Sequence, residues 1–188
     1  MPETKNQILN TPNILALLRI LIAPFMFWVI ITPEFFTAQQ IHITWVYYLA
    51  ALLFVLASIT DFFDGYIART FDQITALGKV LDPLADKMLT IGAFLALMVM
   101  GDASAWAVYI IIIRELFITG LRTVTMAEGI DVSASFAGKV KTVFQMIAIG
   151  FLIMHWPYAT ALLWLAVALT LYSGAEYVIG LIKALKDR

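Results

Sequence analysis

Four aspartates, Asp61, Asp64, Asp82 and Asp86, fall within the stretch DFFDGYIARTFDQITALGKVLDPLAD. On a helix, residues three and four apart share a face. Asp61 and Asp64 therefore stand together, with Gly65 and Ala68 each four residues beyond one of them. Gly78, Asp82 and Asp86 form a second row of the same kind. The segment from Thr70 to Leu77 is short enough to fold one helix back on the other, and four carboxylates would then converge beside small residues. Such carboxylates repel one another and lose hydration, and Arg69 and Lys79 are too few to neutralise them. Hard divalent cations resolve the conflict, because carboxylate oxygens suit Mg²⁺, Mn²⁺ or Ca²⁺. Two such ions side by side are a common device for displacement at phosphorus. Gly65, Ala68 and Gly78 would let a bulky ligand approach the backbone closely. The competing reading is that aspartates at helix ends are simply solvated. It suits Asp72, which lies in the turn off both rows, but four carboxylates on matched faces of membrane helices mark function.

The elements that must position these residues are membrane helices. The chain has 188 residues, 62% of them hydrophobic and 13% charged, against roughly 45–50% and 25% in soluble domains. Its mean hydropathy is +0.92. A net charge of −1 gives no reason to expect a nucleic-acid partner, and the absence of cysteine excludes disulfides, thiolate metal sites and a cysteine nucleophile. The first apolar run is too long for a cleavable signal and lacks a small-residue cleavage site. Apolar runs long enough to cross a bilayer predict an all-α integral membrane protein with six transmembrane helices, near residues 13–32, 44–69, 78–101, 103–127, 138–155 and 158–185. No linker separates them, so residues 1–188 read as a single membrane-embedded catalytic domain. Lys5, Arg69, Lys79, Arg122, Lys139, Lys141, Lys183, Lys186 and Arg188 flank alternate turns, and the intervening turns contain no Lys or Arg. The positive-inside rule then places both termini and the Asp-rich turn on the cytoplasmic side of the cell membrane, in a multi-pass protein.

The quoted stretch spells D-x-x-D-G-x-x-A-R, eight residues, then G-x-x-x-D-x-x-x-D. This resembles the CDP-alcohol phosphotransferases, integral membrane enzymes that make phospholipid head groups. Asp61, Asp64, Gly65, Ala68, Arg69, Gly78, Asp82 and Asp86 match every specified position. The resemblance implies the family's six-helix fold and two divalent metal ions, Mg²⁺ or Mn²⁺, bound by Asp61, Asp64, Asp82 and Asp86. It implies a CDP-lipid site built from Asp61, Asp64, Gly65, Ala68, Arg69, Gly78 and Asp82. The alcohol's hydroxyl attacks the lipid-side phosphorus, Asp86 serves as general base, and CMP leaves. A homodimer is implied by the resemblance alone.

The motif does not choose the alcohol. Arg19 lies inside the first apolar run and Arg114 well inside the fourth, where an arginine is costly unless it faces a cavity or a partner. Arg122 follows two turns later, displaced by about 80° at 3.6 residues per turn, and Lys139 and Lys141 lie across a short segment. Taken singly, Arg122, Lys139 and Lys141 suit ordinary membrane anchoring, and Arg114 could pair with Glu115 or Glu176. Together the cations suggest an anionic acceptor. The stretches TPNILALLRILIAPFMF, GKVLDPLADK, IIIRELFITGLR and GKVKTVFQMIAIG resemble family members that join CDP-diacylglycerol to sn-glycerol 3-phosphate. Arg19, Arg114, Arg122, Lys139 and Lys141 are then the candidates for the acceptor-phosphate site. Within the family, a cardiolipin synthase with phosphatidylglycerol as acceptor and an inositol-phosphate transferase are the alternatives. Outside it, a cation-coupled transporter would use the same carboxylates, but binding sites there sit at the midplane of broken helices.

Overall fold

Backbone in apolar surroundings must satisfy its own hydrogen bonds, so apolar runs of about 20 residues fold as helices. The computed structural model describes residues 11–70, 78–128 and 136–186, and the side chains at 62–70, 79, 80 and 82 lie outside that description. The order is α1 (Thr11–Ile31), α2 (Pro33–Thr37), α3 (Ile43–Thr70), α4 (Gly78–Val99), α5 (Ala105–Ala127), α6 (Phe136–Ile153) and α7 (Ala159–Lys186). There is no strand among the described residues. The short α2 falls in a segment that the sequence reading treats as a connection; it starts on Pro33, whose missing N–H costs nothing in a first turn.

By length and composition α1, residues Ile43–Asp61 of α3, α6 and α7 can each cross a membrane. The apolar course of α4 is interrupted by Lys79, Asp82, Asp86 and Lys87, and that of α5 by Arg114, Glu115 and Arg122. The six runs thus divide into four plainly apolar spans and two charge-bearing helices. Large apolar side chains such as Leu21, Trp45, Leu52, Leu165 and Tyr172 are exposed on the spans, as suits a multi-pass membrane protein.

The chain forms two compact units, Met1–Met100 and Gly101–Arg188. In the first, α1 packs against both α3 and α4, which also touch each other. Its seam is rich in small residues at helical spacing: Ala16 and Ala23 on α1, Ala50 and Ala57 on α3, Ala85, Ala93 and Ala96 on α4. Small side chains let helix backbones approach where lipid offers no hydrophobic drive for association. Phe54, Met26, Leu89 and Phe94 fill the space between. The chain leaves α4 through Gly101, whose φ of +83° is the left-handed conformation that ends many helices. In the second unit α7 packs against both α5 and α6. The buried face of α7 runs Leu163, Ala166, Val167, Thr170, Ser173, Gly174, Tyr177 and Leu181. Four of those, Thr170, Ser173, Gly174 and Tyr177, recur at i, i+3, i+4 and i+7 and so share one stripe.

Candidate active site

Two helix ends of the first unit carry the aspartate motif. Asp61, Asp64, Gly65, Ala68 and Arg69 occupy the last turns of α3, and Gly78, Asp82 and Asp86 the first turns of α4. The side chains of Asp64, Ala68, Arg69 and Asp82, and the surroundings of Gly65, lie outside the described ones, as does Asp72. Gly78 is buried, and Asp61 and Asp86 are both half-buried. Among the described residues no three metal-ligating side chains gather, since two of the four candidates are not among them. The donor set itself fits hard cations: the chain has no cysteine, and its two histidines, His42 and His155, lie far from the motif in sequence.

Arg19 of α1 reaches Asp61. Its Nη1 donates to Asp61 Oδ1 at 2.6 Å, and the arginine side chain is wholly buried while that of Asp61 is 35% exposed. The structure therefore places Arg19 beside the aspartate motif in the first unit. A buried guanidinium needs its counterion, and removing one member of such a pair leaves an uncompensated charge. Arg19→Leu is expected to lower unfolding stability by about 2–3 kcal/mol, below the usual 3–5 because Asp61 is partly hydrated. Thermal unfolding in detergent would read this, and an unchanged midpoint would show that the pair holds nothing.

The other four cations belong to the second unit. Arg114 and Lys141 meet on one carboxylate: Arg114 Nη1 donates to Glu115 Oε1 at 3.2 Å, and Lys141 Nζ makes a short ion pair with the same oxygen. All three side chains are largely buried. Glu115, rather than the exposed Glu176, is thus the partner of Arg114. Arg122 is exposed and lies over the ring of Tyr177, 5.5 Å from its centre, a distance at which the ring quadrupole attracts a cation. Lys139 is exposed. The structure brings Arg114 and Lys141 together, sets Arg122 two turns along the same helix, and leaves Lys139 on the surface.

Sequence reasoning missed what α7 does here. Ser173 Oγ accepts from Arg114 Nη2 at 2.9 Å and donates to the Thr170 carbonyl at 3.1 Å. Thr170 Oγ1 in turn accepts from Gln145 Nε2 of α6 at 2.9 Å. Tyr177 carries Arg122 on its ring, and its hydroxyl lies 3.3 Å from Thr125 Oγ1 of α5. The available signal was the one-sided run of Thr170, Ser173, Gly174 and Tyr177 in an otherwise apolar helix. Polar groups inside a membrane helix are retained where they find partners.

Comparison with known proteins adds an independent line. The chain is 39% identical to the CDP-diacylglycerol–glycerol-3-phosphate 3-phosphatidyltransferase of Bacillus subtilis (strain 168), over 89% of this chain and 93% of that protein. It is 36% identical to the proteins of the same name from Rickettsia bellii (strain RML369-C), over 89% and 93%, and Escherichia coli (strain K12), over 90% and 93%. The pattern of the CDP-alcohol phosphatidyltransferases matches residues 9–172, which takes in the aspartate motif, the Arg114–Glu115–Lys141 cluster and the start of the α7 stripe. The chain belongs to the CDP-alcohol phosphatidyltransferase family.

Proposed function

We propose that this protein transfers the phosphatidyl group of CDP-diacylglycerol to sn-glycerol 3-phosphate, giving phosphatidylglycerophosphate and CMP. The observation that carries the reading is that relatives bearing this activity's name match 89% and 90% of the chain at 36–39% identity. The buried Arg114 and Lys141 give the anionic acceptor a chemical reason. A phosphomonoester needs cations held out of water, where they attract it more strongly, whereas serine or choline would not.

In the reaction the 1-hydroxyl of glycerol phosphate attacks the phosphorus on the diacylglycerol side of the pyrophosphate. A new P–O bond forms, the bond to CMP breaks, and the hydroxyl proton passes to Asp86. Asp61, Asp64, Asp82 and Asp86 would hold two divalent ions, Mg²⁺ or Mn²⁺, which when bound neutralise the pyrophosphate and the departing CMP. Asp86 owes its role as base to position as much as to basicity, because nearby cations weaken a carboxylate as a base. Arg19, a candidate for the acceptor phosphate, also holds Asp61 and so supports the donor half. The basic residues around alternate turns support six spans, with both termini and the aspartate motif on the cytoplasmic side. The family resemblance supports a homodimer acting in the cell membrane as a single catalytic domain.

The test uses detergent-purified protein with CDP-diacylglycerol, Mg²⁺ and labelled sn-glycerol 3-phosphate, following CMP and labelled lipid. The expected result is metal-dependent labelled phosphatidylglycerophosphate that disappears with a chelator and returns when Mg²⁺ is restored. CMP release with phosphatidylglycerol or an inositol phosphate instead would keep the family and replace the acceptor. No CMP with any alcohol, from protein shown to be folded, would overturn the enzyme and favour cation-coupled transport.

A further inference from the structure

We propose that one stripe of α7, formed by Ser173, Gly174 and Tyr177, positions both α5 arginines and thereby sets the geometry of the acceptor-phosphate site. The inference rests on the proposed acceptor and deepens it. Arg114 is held at three points. Glu115 takes one amino group, Ser173 takes the other, and the side chain runs across Gly174. A Cβ built on Gly174 would stand 3.0 Å from Arg114 Nε and 3.3 Å from its Cγ. Both distances are closer than ordinary carbon contacts of about 3.5–4.0 Å, so an alanine there would push the arginine aside by a few tenths of an ångström. Arg114 Nε is buried with no hydrogen-bond partner among the described residues, so the guanidinium is placed by its two amino groups and by this slot.

One turn further along α7, Tyr177 supports Arg122 through its ring and is itself tied to Thr125. Ser173 and Tyr177 are four residues apart and share a face, so a single helix fixes the spacing between the two arginines. Lys141 joins the group through Glu115. Cations on long, flexible side chains would otherwise lose binding energy to the entropy of ordering them. These α7 residues are positioning residues: none of them bears the charge that an acceptor phosphate would meet.

The expected outcome is a selective effect on the acceptor. Ser173→Ala and Gly174→Ala each raise KM for sn-glycerol 3-phosphate by ~10-fold or more, the scale of one lost hydrogen bond to a charged group. KM for CDP-diacylglycerol and the Mg²⁺ dependence stay within ~3-fold of the wild type, a split well beyond ordinary scatter when tenfold is about 1.4 kcal/mol. Tyr177→Leu raises acceptor KM more than Tyr177→Phe, because phenylalanine keeps the ring under Arg122. Ser173→Ala removes only one oxygen and guards against a folding failure in Gly174→Ala. Thermal shift by inorganic phosphate on each purified variant gives a second readout that needs no turnover. If the wild type turns over no sn-glycerol 3-phosphate, the acceptor reading falls by itself and phosphate binding decides the α7 inference. Unchanged acceptor KM and phosphate shift in both Ser173→Ala and Tyr177→Leu would overturn it, as would a parallel decline for both substrates.

Discussion

Asp86→Asn is expected to lower kcat by ~100- to 10,000-fold, the range for loss of a positioned general base, in a protein that remains folded. Asn has nearly the shape of Asp, but it carries no charge and takes no proton. Asp86 is half-buried on α4, and the packed residues beside it, Ala85 and Leu89, are untouched by the change. Its backbone carbonyl accepts from Thr90 Oγ1 at 3.1 Å, a local bond that the substitution keeps. Two effects can lower the rate, loss of a ligand charge and loss of the base, and Mg²⁺ separates them. Activity measured against rising Mg²⁺ would recover if the carboxylate mattered only as a ligand. We expect the loss to persist at saturating Mg²⁺; recovery to within tenfold of the wild type would remove Asp86 from the proton-transfer step.

Much of the frame was legible because apolar length is a strong signal. The six long helices start and stop within two residues of the runs read from the sequence. The span count was harder, and for a physical reason: α4 and α5 carry the charges expected to do the chemistry, so function dilutes the hydropathy that marks a span. The aspartate motif was legible as a pattern because its spacing is internal to two helices. The basic cluster was legible only in part. Neighbours i and i+1 on a helix do not normally face each other, yet Arg114 Nη1 reaches Glu115 Oε1, the oxygen with which Lys141, distant in sequence, also pairs. Arg19 pairs with Asp61, a contact between helices that no local periodicity encodes. The α7 stripe was overlooked because Thr, Ser and Gly are ordinary in membrane helices; only the arginine across Gly174 gives them meaning.

The second large effect belongs to the Arg114–Glu115–Lys141 cluster, where stability and acceptor binding should separate. Arg114→Leu removes one cation but leaves Glu115 paired with Lys141, so no carboxylate is stranded. Its fold cost should be about 1–2 kcal/mol, mostly the unmade bond at Ser173 and lost packing. Its acceptor KM should nevertheless rise ~100-fold if Arg114 meets the phosphate as proposed, because that buried charge is gone. Glu115→Leu does the opposite. Two largely buried cations then face each other with their shared anion removed, and a fold cost of about 3–5 kcal/mol follows. Arg114→Lys is milder than Arg114→Leu on both counts: an ammonium cannot reproduce the fork that reaches Glu115 and Ser173 at once, so acceptor KM should rise ~10-fold at nearly unchanged stability. Thermal unfolding and acceptor KM on the three variants test the ordering. Glu115→Leu must be the least stable, and Arg114→Leu must have the highest KM among the folded ones. If Arg114→Leu were instead the least stable, with acceptor KM unmoved, Arg114 would be a structural counterion to Glu115 and the phosphate would have to be met by Arg122 and Lys139, the two exposed residues among the five candidate cations.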